Sequence, residues 1–208
     1  MKILIVAATH HEVTGLTEYF NLAKDDFTQH AKFDLLITGV GMTATAFALG
    51  KTLTNDYALV VNVGIAGSFY KNIPLGSVVN VVKDTFAELG AEDHEKFISI
   101  DELGFGKSTY DVNYQLTDLP KVHGITVNKV HGNLKSIESI LNRLNVQVES
   151  MEGASVFYAC EQMNIKCLQV RAISNFVEPR TTDNWQIKLA IERLNAWLID
   201  FINSDQMN

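Results

Sequence analysis

A chain of 208 residues that is 47% hydrophobic and 20% charged can bury one substantial core, and no linker-like composition divides it, so residues 1–208 are read as one domain. The formal charge of −7, with no basic stripe and no aromatic-basic patch, argues against nucleic acid or anionic membrane as a partner. The expected partners are a small molecule or protein.

The apolar stretch 3–8 is shorter than a signal h-region and runs into Thr9-His10-His11-Glu12, so residues 2–8 are read as a first buried strand; nothing later is expected to span a membrane. Thr9 then opens a helix with Val13, Leu16 and Phe20 on its apolar face. Two readings of Glu12 stand side by side. Its spacing from Thr9 is that of a capping box, in which the glutamate bonds back to the N-cap amide. It also follows the carboxyl end of a strand, where α/β sheets place their ligands and a glutamate can serve as a general base. His10 and His11 are adjacent and lack ligand spacing, so no metal site is expected.

Residues 34–54 read as strand, turn and helix, with Gly39 and Gly41 presenting backbone amides at a helix N-terminus; tight helix-on-sheet packing explains the glycines about as well. Residues 58–69 repeat the design, a buried strand running into a turn at Gly64-Ile65-Ala66-Gly67. Another strand follows over 77–82. From 83 to 120 no period persists, and the stretch reads as a rim or subunit contact, with Asp84, Glu88, Glu92 and Asp93 on a solvated face. Residues 125–130 predict a strand ending in the turn His131-Gly132-Asn133, where His131 reads as a satisfied loop histidine. Asp183 or Asn184 caps a last helix lined by Ala190, Ile191, Leu194, Trp197, Leu198 and Phe201.

The segment 148–179 carries most of the information. An extended run ends at Ser150, Met151 and Glu152, and Gly153, Ala154 and Ser155 let a helix start close against a neighbouring backbone. Val156, Phe157, Cys160 and Met163 form its apolar stripe. Residues 167–173 are apolar apart from Gln169 and Arg171 and suit a strand covered on both faces, ending at Ser174 and Asn175. Two strand ends that carry polar groups predict one shared pocket in an α/β sheet. Cys160 and Cys167 lie in these apolar elements and predict free thiols in a reducing cytoplasm.

The strand and helix ending in Glu12, the segments GVG and GIAG, the ESMEG turn and the RAISN strand end resemble, in this order, the nucleoside phosphorylase and nucleosidase family. ELGAED, GITVN, SMEGAS and ISNFVEPR look most like its hypoxanthine-releasing branch. The resemblance covers nearly the whole chain and implies a three-layer α/β/α fold with a central mixed sheet flanked by helices. It implies a nucleoside substrate, no cofactor and a homodimer. Glu12 matches the water-activating glutamate, Met151 the methionine against the ribose, and Glu152 the carboxylate on the ribose hydroxyls. Gly64, Ile65 and Ser150 join the substrate-binding set. Asn175 stands where the adenine-releasing nucleosidases carry an aspartate, and Ile65 where they carry a serine. An amide there can hydrogen-bond to hypoxanthine, a better leaving group than adenine, without protonating it. Glu149 acquires no role from the resemblance. No arginine precedes Arg143, so the glycine segments lack the fork that holds a phosphate, and water is the expected acceptor. A methylthioadenosine or inosine-type nucleosidase and a non-catalytic nucleoside-binding protein are the competing readings.

Overall fold

The computed structural model describes residues 2–180 and 182–204. In chain order the elements are β1 (Lys2–Ala7), a 3-10 turn (His10–Val13), α1 (Thr14–Tyr19), β2 (Phe27–Gln29), β3 (Asp34–Ile37), α2 (Met42–Thr52) and β4 (Tyr57–Ser68). Then come β5 (Val78–Phe86), β6 (Gly90–Asp93), β7 (Lys96–Ser99), β8 (Thr109–Asp111), β9 (Lys121–Thr126) and α3 (Leu134–Arg143). The chain closes with β10 (Val148–Ser150), α4 (Gly153–Met163), β11 (Lys166–Phe176), a 3-10 turn (Thr182–Asn184) and α5 (Ile187–Asn203).

Among the described residues the main sheet runs β10-β9-β5-β11-β4-β1-β3-β2, with β8 on β5, and mixes parallel and antiparallel pairs. The alternation of side chains along its central strands builds two cores. Ile3, Ile5 and Ala7 of β1 face one side with Leu59, Val61, Val63, Leu168 and Val170, where α1 and α5 cover them through Leu16, Leu194 and Leu198. Leu4 and Val6 face the other with Val60 and Cys167, under Leu49 of α2 and Phe157 and Cys160 of α4. Each fully buried leucine contributes roughly 1.5–3 kcal/mol by leaving water. These are the expected three layers, with Cys160 and Cys167 as free buried thiols.

The sheet also curls. β4 is long enough to pair with β11 along its length and, at Gly67 and Ser68, with the antiparallel β10. That second pairing draws β10 against β4 and gathers the ends of β4, β10 and β11 around one hollow. Gly64-Ile65-Ala66-Gly67 is therefore not a turn: it lies inside β4, where the missing side chains admit neighbours rather than bend the chain. Gly39 and Gly41 do form a turn, with φ of +82° and +95°, a region that glycine adopts without strain.

Four further expectations need correction. The strand expected at 125–130 is β9, Lys121–Thr126, because residues 128–133 leave the sheet to cap α3 through the Asn133 side chain. β5 runs on to Phe86, into the stretch read as a rim. Asp183 and Asn184 sit in a 3-10 turn, and the N-cap of α5 is Gln186, which makes no side-chain cap bond. Asp84 is not on a solvated face but is fully buried, accepting hydrogen bonds from Gln169 Nε2 at 2.8 Å and Thr126 Oγ1 at 2.9 Å.

Thr126 Oγ1 in turn accepts from the Ala154 amide at 2.7 Å, so the buried carboxylate anchors the start of α4. A Cβ on Gly153 would overlap Gln169 Nε2 and Asp84 Oδ2; the crowding is against side chains, not against the backbone the sequence suggested. Gly153→Ala is therefore expected to cost on the order of 3 kcal/mol in urea denaturation, since it overpacks the core and breaks a buried hydrogen bond together. A cost under about 1 kcal/mol would show that α4 starts from some other anchor.

Burial also pushes the Asp84 carboxyl up to about 6 from 3.8, against the pull of Gln169, Thr126 and the Arg171 charge. The folded chain then binds this proton more tightly than the unfolded chain. The group's contribution to stability is full below pH 3.8 and is lost as pH rises towards 6. The stability of the parent relative to Asp84→Asn should fall by about 3 kcal/mol across that window, at 1.36 kcal/mol per pH unit. Paired denaturation curves at pH 4 and 7 measure it.

Candidate active site

The polar strand ends do converge. A cavity of about 420 Å³ opens where β1, β4, β10 and β11 finish, and Glu12, Ile65, Ser150, Met151, Glu152 and Asn175 all line it. Of the residues that the resemblance assigns to the site, Gly64 alone is not on its wall, and the reason is informative. Its absent side chain is the space that Glu12 uses: Oε1 comes within 2.8 Å of where a Cβ would stand.

Glu12 forms the capping box and also reaches the cavity. Its Oε2 accepts from Thr9 N at 3.0 Å and Thr9 Oγ1 at 3.1 Å, while its own amide donates to Thr9 Oγ1, which completes the capping box. Its Oε1 turns into the cavity and accepts from the Ile65 amide at 3.1 Å. A carboxylate offers about four lone-pair directions, and these bonds leave one for a water. Glu12 is 8% exposed. Burial holds its carboxyl above the ordinary value and the Glu152 charge adds to this, while the Ile65 amide, Arg171 and Thr9 pull the other way. A carboxylate raised in this way is a stronger base than one in water.

Glu152 sits at the N-cap of α4, and its Oε1 accepts from the Gly41 amide, the N-cap of α2, at 3.0 Å. The group that an amide of the glycine turn holds is thus the protein's own carboxylate, placed at the favourable end of a helix dipole. Its other oxygen can accept from hydroxyl groups of a ligand. Beside it, among the described residues, Ser150 Oγ is buried without a hydrogen-bond partner on the cavity wall, the state of a polar group that a ligand completes.

At the far end, β11 carries a bulge at Ser174, since Ile173 pairs with Ala66 and Asn175 with Gly67. Such an extra residue re-aims the next side chain. Asn175 Oδ1 accepts from Ser174 Oγ at 2.9 Å and Nδ2 donates to Phe176 O at 3.1 Å, so each half of the amide keeps one further bond for a ligand. His131 and Glu149 face each other there, with Nδ1 and Oε2 2.6 Å apart. Arg180 also lines the wall and stacks on Trp185, with 4.9 Å from guanidinium to ring centroid. An arginine from the second half of the chain thus reaches the cavity, although none precedes Arg143.

Two more residues position Glu12 from behind. Asn195 of α5 accepts from Leu16 N at 2.7 Å and donates to Glu12 O at 2.8 Å, tying the 3-10 turn to α5. Arg171 is 1% exposed, donates to Asn62 Oδ1 at 2.6 Å, and puts its charge beneath Glu12. Arg171 stands out in the sequence as a cation in an apolar strand, on the same face as Gln169. Asn195 gives no such signal, because one amide on a helix reads as solvated.

The model of the phosphorylase superfamily matches residues 125–203, the stretch that carries β10, α4, β11 and α5. The chain is 32% identical to a futalosine hydrolase of Streptomyces coelicolor, over 93% of this chain and 92% of that protein. It belongs to that family. A futalosine hydrolase structure from Helicobacter pylori shares the fold with a TM-score of 0.83 at 16% identity, covering 98% of this chain and 97% of the other. A 5'-methylthioadenosine/S-adenosylhomocysteine nucleosidase of the same organism does so with a TM-score of 0.83 at 15% identity, covering 98% of both chains.

Proposed function

We propose that the protein hydrolyses the N-ribosidic bond of futalosine, releasing hypoxanthine and dehypoxanthine futalosine for menaquinone biosynthesis. The observation that carries this reading is the pair of glutamates on one cavity, Glu12 buried and backed by Arg171, Glu152 held at the Gly41 amide. Glu152 and Met151 hold the ribose. Glu12 orients a water on the ribose face opposite the base and takes its proton as the N-ribosidic bond loosens to an oxocarbenium-like state. Two carboxylates on one wall repel a phosphate dianion at the acceptor position, which favours water. Asn175, where the adenine-releasing relatives carry an acid, hydrogen-bonds the purine. No metal or cofactor is needed for these steps.

Futalosine, methylthioadenosine and inosine, each assayed for free base, test the substrate class. Hypoxanthine release from futalosine at a kcat/KM at least tenfold above that for either other nucleoside is expected. Preference for methylthioadenosine would replace this reading with the related nucleosidase, and ligand binding without base release would make the protein a nucleoside-binding module.

The chain works as one domain in a reducing cytoplasm, on this reading, and as a homodimer. Phe47 and Tyr158 on α2 and α4, with Phe105 opposite, leave an apolar surface beside a second hollow of about 600 Å³. A second copy of the chain covers it. Among the described residues no helix is long and apolar enough to cross a membrane.

A further inference from the structure

The proposed hydrolysis leaves one cluster on the cavity wall without work: His131 and Glu149. Glu149 is 3% exposed, and both of its oxygens are spent on a single residue. Oε1 accepts from the His131 amide at 3.0 Å, and Oε2 lies 2.6 Å from His131 Nδ1. The ring is further fixed by Phe69, 6.2 Å away between centroids, and the turn behind it by the Arg180 amide, which donates to Gly132 O at 3.2 Å. A loop histidine needs no such clamp. A carboxylate that holds Nδ1–H sets the tautomer and compensates the charge of the imidazolium, which makes the other nitrogen the working one. Among the described residues Nε2, across the ring from Glu149, has no hydrogen-bond partner.

The place of this pair in the cavity fits one task. Glu12 packs against Gly64, whereas Glu149 and Asn175 pack against Gly67, three residues further along β4. That separation is about 10 Å at the rise of a strand. A nucleoside whose anomeric carbon lies over Glu12 and Glu152 therefore has its purine at Glu149, His131 and Asn175. Asn175 cannot give up a proton, and its amide is already half engaged by Ser174 and Phe176.

Resting on the reading above, we propose that His131, clamped by Glu149, is the acid that protonates the departing purine. As the C1'–N9 bond breaks, its electron pair passes to the base, and the Nε2 proton of the imidazolium neutralises a ring nitrogen. Water adds to the anomeric carbon and leaves its proton on Glu12. Glu12 returns that proton to solvent and His131 regains one, so the sum is water plus nucleoside giving sugar plus hypoxanthine. His131 is the catalytic residue, and Glu149, which reaches the substrate only through it, is a positioning residue.

The test uses two leaving groups: the hypoxanthine nucleoside and its N7-methylated form, whose base departs as a neutral molecule with no proton added. His131→Gln should lower kcat at least 100-fold on the first, the size of a lost general acid. On the second it should stay within threefold of the parent. Glu149→Gln should show the same contrast, weaker by about tenfold, with KM nearly unchanged. Equal losses on both substrates, or none on either, would overturn the assignment, since a structural role does not distinguish leaving groups. His131→Asn repeats the comparison should the glutamine variant not fold. If the parent releases the free base from neither substrate, the hydrolysis itself fails, and this inference with it.

Discussion

Replacing Glu12 with glutamine should lower kcat by about 10² to 10⁴-fold, the usual cost of a positioned general base. KM should hardly change. The isosteric amide keeps an oxygen for the Ile65 amide, which donates at 3.1 Å, and the remaining cost falls on the capping box. Losing part of a cap costs about 1 kcal/mol, so the melting temperature should drop by only a few degrees. The two roles of Glu12 thus separate in measurement. A variant that keeps its activity but melts earlier would reduce Glu12 to a cap. In the parent, kcat/KM should fall as pH drops through the Glu12 titration, which burial places above the ordinary carboxylate range.

Glu152→Ala should lower kcat/KM by roughly 10- to 150-fold, because a charge-assisted bond to a ribose hydroxyl is worth about 1.5–3 kcal/mol. It should also remove the penalty against 2'- and 3'-deoxyribose analogues, which have nothing to offer that carboxylate. Stability should fall by a further ~0.3–1 kcal/mol, since the Gly41 amide at the N-terminus of α2 loses its anion. Paired kinetics on ribosyl and deoxyribosyl substrates read both effects. A variant that discriminates between them as the parent does would place the ribose elsewhere in the cavity.

What the sequence revealed, it revealed through local signals. The near-continuous apolar runs of β1, β4 and β11 announce strands buried on both faces, and the stripe on α5 announces the helix that covers them. Glu12, Ser150, Glu152 and Asn175 were legible because each is a polar residue just where an apolar run stops. Features that depend on distant pairing were not. Gly64 and Gly67 look like a turn, yet β4 continues through them because β11 and β10 hold it extended. Asp84 looks solvated among exposed acids, and only the fold brings it Gln169 and Thr126. Arg180, distant in sequence from the glycine segments, reaches the same cavity because the segment after β11 returns across its mouth. The clamp of Glu149 on His131 spans 18 residues and has no spacing rule that would predict it.

In the proposed hydrolysis water is the acceptor, delivered by Glu12 to the ribose face opposite the base. Its most direct test is the sugar first formed when the enzyme works in ¹⁸O-labelled water with excess inorganic phosphate, followed by NMR and mass spectrometry before the anomers equilibrate. The expected product is the α-anomer with the label at C1 and no sugar phosphate. A ribosyl phosphate, or a β-anomer from retention at C1, would contradict it.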